Sequence, residues 1–164
     1  MIQDFGWDVV TCNPVDPMLI NPHHRILVPT DFSESALRVQ EAVVRAARDP
    51  SRLYILHVLL PLQTMDPGAI WQTVSDRERI TQVQDTFHRR FSDDPYASIQ
   101  FEAVVGNPSL KIVDYAKERS IDLIVIASHG RTGLARFLLG SVTERVVRSA
   151  PCSVLVWRGS QREH

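Results

Sequence analysis

Ser128, His129, Gly130, Gly133, Gly140 and Ser141 are small or polar residues set inside a stretch, Ile121 to Pro151, that is otherwise rich in apolar side chains. Ahead of them runs I-D-L-I-V-I, almost wholly apolar and β-branched, with Asp122 the one charge near its start. That composition fits a strand buried on both faces of a parallel sheet. After Gly140 the residues Val142, Val146, Val147 and Ala150 recur on one side of a helix. A buried strand, a glycine-bearing loop and a helix start together present backbone N–H groups to a phosphate, because the first N–H groups of a helix have no intrahelical acceptor. Ser141 and Glu144 also stand three apart, as a capping box requires. Ser141 therefore reads either as a cap or as a hydroxyl that holds a terminal phosphate. The two roles are compatible, and the residues leave both open.

Other candidates for chemistry are weaker. His129 could be drawn with Ser141 and Asp31 as a Ser-His-Asp set, but no nucleophile elbow G-x-S-x-G is present. A loop hydrogen bond or a phosphate contact suits His129 better. His57, inside L-Y-I-L-H-V, reads as a buried histidine with its hydrogen bonds satisfied. His23 and His24 are adjacent and bring no third ligand for a metal. Arg131 and Arg136 read as solvated arginines or as screens for phosphate charge. The lysine-bearing P-loop G-x-x-x-x-G-K-[ST] is missing, which disfavours a fast P-loop ATPase. No residue is assigned as catalytic and none as a metal ligand.

The elements that must position these residues follow from the chain's punctuation. At 164 residues, with 44% hydrophobic and 23% charged, the chain has one domain's worth of core. A net charge of −1 gives no general attraction to nucleic acid or to an anionic membrane. No apolar run approaches the ~20 residues that span a bilayer, and the start has no basic region followed by an apolar one. Cys12 and Cys152 are far apart and form no C-x-x-C, which fits a reducing cytoplasm. Residues 1–22, with Pro14, Pro17 and Pro22, read as an irregular extension whose Phe5 and Trp7 argue for docking on the domain.

Beyond the extension, Arg25 to Thr30 reads as a first strand ended by Pro29. A capped helix begins at Asp31, Ser33 and Glu34 and stops before Asp49-Pro50. Arg52 to Leu60 is a second strand closed by Pro61. A longer helix carries Ile80, Val83, Phe87 and Phe91. Ile99 to Val105 is a third strand, Asn107 caps a helix that opens on Pro108, and Ser153 to Trp157 is a fifth strand. Strands alternating with helices over short connections make a parallel sheet with helices on both faces.

The chain resembles the universal stress protein family, in the branch that binds ATP. That branch carries Gly, two residues, Gly, nine residues, Gly and then Ser or Thr. Gly130, Gly140 and Ser141 keep that spacing, with S-H-G and L-L-G-S-V-T-E inside it, while Ala127 replaces the first Gly. V-P-T-D-F-S-E-S-A and L-H-V resemble the family's first and second strand ends, so the likeness runs from about Arg25 to Arg158. It implies an α/β three-layer sandwich, Rossmann-like and akin to the adenine nucleotide alpha hydrolases, whose five-stranded parallel sheet has the order 3-2-1-4-5. Residues 23–158 are then the universal stress protein domain and 159–164 a tail.

In a doubly wound sheet the ligand lies beyond the strand ends where the order reverses. With the implied order that point falls between the first and fourth strands. The resemblance implies that Pro29, Thr30 and Asp31 help form a nucleotide pocket, and that Val58 and Ile126 lie along the adenosine. Ala127, His129, Gly130, Gly140, Ser141, Val142 and Thr143 would hold the phosphates. Asp31 is either a helix cap or the partner of a ribose hydroxyl or of a Mg²⁺-bound water, and its place at the switch point favours the second. The implied ligand is ATP, with Mg²⁺ as its companion.

Family members pair the edge strand with its copy, so a homodimer through Ser153 to Trp157 is expected. The leading reading is a cytoplasmic, nucleotide-dependent stress-response switch acting on an unknown protein partner, with at most slow, metal-dependent hydrolysis. The alternative is a nucleotide-free member acting as a dimeric interaction module, which Ala127 favours. A third, an adenylyl transferase or hydrolase on a related fold, would need a second catalytic region that the chain has little room for.

Overall fold

The computed structural model describes residues 21, 23–62, 75–93, 95–128 and 139–158. The readings that fall on residues 1–20 and 22, on 129–138 and on 159–164 lie outside them: the docking of Phe5 and Trp7, the histidine and glycine of the loop, and the tail.

The strands are β1 Ile26–Thr30, β2 Leu53–Leu59, β3 Gln100–Val105, β4 Leu123–Ala127 and β5 Ser153–Trp157. The helices are α1 Glu34–Ala46, α2 Asp76–Arg90, α3 Pro108–Glu118 and α4 Ser141–Ser149, with short 3₁₀ turns at Pro50–Arg52 and Tyr96–Ser98. All the strand pairs are parallel, and the order is β3-β2-β1-β4-β5. The fold is the α/β architecture expected, strand order included.

β1 and β4 are buried along their whole length because helices cover both faces of the sheet. Alternation along the strands divides the core in two. Ile26, Val28, Leu53, Ile55, Leu123 and Val125 meet Val39 and Val43 of α1 and Phe87 of α2 on one face. Leu27, Leu56, Ile124, Ile126 and Val156 meet Ile112, Tyr115 and Ala116 of α3 and Val146 of α4 on the other. The rings of Phe87 and Phe101 stack with centroids 3.8 Å apart, which fixes α2 over the β3 edge.

Local signals end the elements. Asn107 accepts from the N–H of Leu110 and Pro108 takes the first helical position, as read. The helix α2 opens on a full capping box, Ser75 with Glu78, which the sequence reading did not identify. α1 buries one polar residue among its apolar ones: Gln40 has no exposed surface, and neither side-chain amide atom has a hydrogen-bond partner among the described residues.

Candidate functional site

The site begins where two strands part. β1 runs beside β2 from Ile26 to Thr30, but it pairs with β4 only at Ile26 and Leu27. The carbonyl of Arg25 accepts from the N–H groups of Asp122 and Leu123, so Arg25 faces β4. Alternate residues of a parallel strand face the same neighbour, which turns Leu27 and Pro29 toward β4 as well. Pro29 has no N–H to offer, and the ladder stops one step before it. Pro29 thus lies inside β1 rather than ending it, and its effect is to open β1 from β4.

The turn after β1 is held by side chains. The Ser33 hydroxyl accepts from the N–H of Ala36 and is the cap of α1. Asp31, which the pattern offered as the cap, instead accepts from the N–H of Ser33 at 3.0 Å. Its carboxylate therefore stays at the end of β1. Phe32 between them sits in the left-handed region, at φ 59°, where a bulky residue is strained. Its N–H reaches the Thr30 hydroxyl at 3.1 Å, and its ring packs 4.7 Å from that of His57. His57 is buried, with Nδ1 2.8 Å from the carbonyl of Thr30. A carbonyl only accepts, so Nδ1 carries the proton. The buried and satisfied histidine is as expected.

The start of α4 departs from the capping-box reading. Gly140 is the cap residue, with extended backbone at φ −60° and ψ 148°, and no side chain among the described residues caps the helix. Ser141 is already the first helical residue and is exposed. Two bonds tie this turn to β4: the Gly140 N–H donates to the Ser128 carbonyl at 2.8 Å, and the Thr143 hydroxyl donates to the Ala127 carbonyl at 2.9 Å. The N–H of Gly140 and the hydroxyl proton of Thr143 are thereby taken. The N–H groups of Ser141, Val142 and Thr143 have no acceptor among the described residues. They are the donors this helix end can turn on an anion.

Ala127 is not among the residues of positive φ. It continues β4 in register with Trp157. A glycine is therefore not needed there for its backbone freedom. What remains is how close a ligand must come to the methyl group, since Ala127 lines the crevice.

Above the parted strands lies a cavity of about 720 Å³. Pro29, Thr30, Asp31, Val58, Ile126, Ala127, Gly140, Ser141, Val142 and Thr143 all line it. Of the residues expected at the site only His129 and Gly130 are not among them, and both lie outside the described residues, as do Arg131 and Arg136. Leu56, Val58 and Ile112 give it an apolar lining, to which Asn107 and Ser109 at the start of α3 add polar groups. Among the lining residues that were not anticipated, two carry positive charge, Arg79 of α2 and Arg145 of α4. Arg79 is held by the carbonyl of Leu60 at 3.0 Å and by Asp76 at 2.9 Å. No group of three histidine, cysteine or acidic side chains suited to a metal occurs among the described residues. No described helix is long and apolar enough to cross a membrane.

Residues 22–158 match the model of the Universal stress protein family. The chain is 30% identical over 152 residues to Universal stress protein MJ0531 of Methanocaldococcus jannaschii, an alignment covering 87% of this chain and 86% of that protein. Among solved structures, universal stress protein UspA from Lactobacillus plantarum superposes with a TM-score of 0.64 at 31% identity, over 81% of this chain and 96% of that one. The M. jannaschii protein MJ0577 superposes with a TM-score of 0.67 at 28% identity, over 86% of this chain and 100% of that one.

Proposed function

Because this chain belongs to the universal stress protein family, we propose that its cavity binds an adenine nucleotide, ATP above all, and that occupancy acts as a stress-response switch read by a protein partner. The observation that carries this reading is the convergence on one cavity of the parted β1 and β4 ends with an uncapped helix start. Its volume of about 720 Å³ falls in the range of small-molecule sites. The apolar lining of Leu56, Val58, Ile112 and Ile126 suits a purine. Asp31 suits a ribose hydroxyl or a Mg²⁺-bound water, and the N–H groups of Ser141, Val142 and Thr143 suit phosphate oxygens. Mg²⁺, when bound, would neutralise phosphate charge. In this reading any hydrolysis is slow and metal-dependent, and the nucleotide acts by being bound.

The protein is a homodimer in this proposal, joined through β5. That strand forms one edge of the sheet and pairs only with β4 among the described strands. An open apolar edge is otherwise prone to association of the wrong kind. Light scattering that returns a monomer mass at micromolar concentration would count against the dimer.

Calorimetric titration with ATP and Mg²⁺ tests the nucleotide reading. Micromolar binding that disappears in Gly130→Ala/Ser141→Ala supports it. Absence of binding, once any co-purified nucleotide has been removed, favours the nucleotide-free interaction module, the reading suggested by the Ala127 methyl group in the cavity wall.

A further inference from the structure

The geometry points to Arg145 and Arg79 as a pair of cations that select the length of the ligand's phosphate chain, favouring a nucleoside triphosphate over the mono- and diphosphate. The inference rests on the nucleotide reading of the cavity. It starts from charge: the described ionisable side chains that line the cavity, besides His57, are Asp31, Arg79 and Arg145. The arginines come from opposite layers. α2 packs through Phe87 on one face of the sheet, and α4 through Val146 on the other. Both nevertheless reach the single cavity above the strand ends.

Their states differ in a way that suits two roles. Arg79 is largely buried, its side chain 19% exposed, and is fixed between the Leu60 carbonyl and Asp76. It supplies a stationary positive charge in the wall. Arg145 is exposed and makes no hydrogen bond or ion pair with another described residue. It stands one turn beyond the N–H groups of Ser141, Val142 and Thr143, on the same helix. A phosphate seated at those N–H groups would leave the next phosphate along the chain toward Arg145. A guanidinium suits that task, since its planar donors take two oxygens at once. Arg148, on the same helix, is paired with Glu144 at 2.9 Å and does not line the cavity. It provides a control of equal charge.

The test is calorimetric titration of adenosine, AMP, ADP and ATP, with Mg²⁺ present, into the wild type, Arg145→Gln and Arg148→Gln. Affinity should rise from AMP to ATP in the wild type. Arg145→Gln should lose about tenfold for ATP, the worth of one charge-assisted contact, and nothing for adenosine. Arg148→Gln should match the wild type throughout. Equal losses in both variants, or an Arg145→Gln loss as large for adenosine as for ATP, would overturn the inference. Wild-type binding of all four compounds with no gain from AMP to ATP would overturn it too, while leaving the nucleotide reading standing. Binding of none of them would remove both together.

Discussion

The Thr143 hydroxyl donates to the Ala127 carbonyl across 2.9 Å, joining the first turn of α4 to the last residue of β4. Thr143 is 4% exposed, so neither partner can turn to water if the other is lost. Thr143→Val keeps the shape and removes the donor. It should lower unfolding free energy by about 1–3 kcal/mol, the cost of a buried acceptor left unpaired. Thr143→Ser should restore most of that. Urea denaturation of the three proteins measures both, and equal midpoints for valine and threonine would show that the bond contributes nothing.

Ala127→Gly tests whether the methyl group in the cavity wall limits a ligand's approach. The backbone there does not occupy positive φ, so glycine brings no relief of strain. Its only benefit is a closer approach for the ligand. Nucleotide affinity should rise several-fold, while stability falls by about 0.5–1 kcal/mol from the added freedom of the unfolded chain. Unchanged affinity would mark the position as indifferent.

Gln40 should be a site where the protein gains stability by losing polarity. Its amide is wholly buried and has no partner among the described residues. Gln40→Met conserves the length of the side chain without the desolvated N–H and C=O groups. An increase of about 1–2 kcal/mol is expected, visible as a higher denaturation midpoint. A decrease would mean that the amide has a partner in solution.

Burial, reinforced by the Asp122 carboxylate, pushes the Cys152 thiol up to about 11. The thiolate is the reactive form, so native Cys152 should be slow toward thiol reagents at pH 8, by about a hundredfold relative to the unfolded chain. In a Cys12→Ser background the native rate should keep climbing past pH 9 instead of levelling off. The sign for stability follows: folding favours the neutral thiol, so this contribution is complete below the ordinary thiol range and is lost as pH rises toward 11. A native rate that levels off near pH 9 would contradict the raised value.

What could be read from the residues was what local physics controls. The unbroken apolar runs of β1 and β4, the Asn107-Pro108 helix start and the buried His57 each carry their signal within a few positions. Strand order came only with the family resemblance, since periodicity cannot say which strands are neighbours. Ser141 shows where a local signature misleads. Serine three before glutamate fits a cap or a first helical position alike, and the extended backbone of Gly140 decides between them. Arg79, Arg145 and Gln40 escaped notice for another reason. On a helix, arginine and glutamine read as solvated residues, and only the fold shows that Arg79 and Arg145 line the cavity and that Gln40 is buried.

Pro29 sets the terms on which anything enters this cavity. Because the gap between β1 and β4 follows from a missing donor in the covalent chain, the free protein already has it. Among the described residues, no ladder hydrogen bond joins β1 to β4 beyond Leu27 for an incoming molecule to break. A ligand that binds only the folded state adds to its stability by mass action, about 2.7 kcal/mol at a hundredfold excess over Kd. For a protein of this family, occupancy would then be registered as resistance to unfolding, with no need for the sheet to change shape.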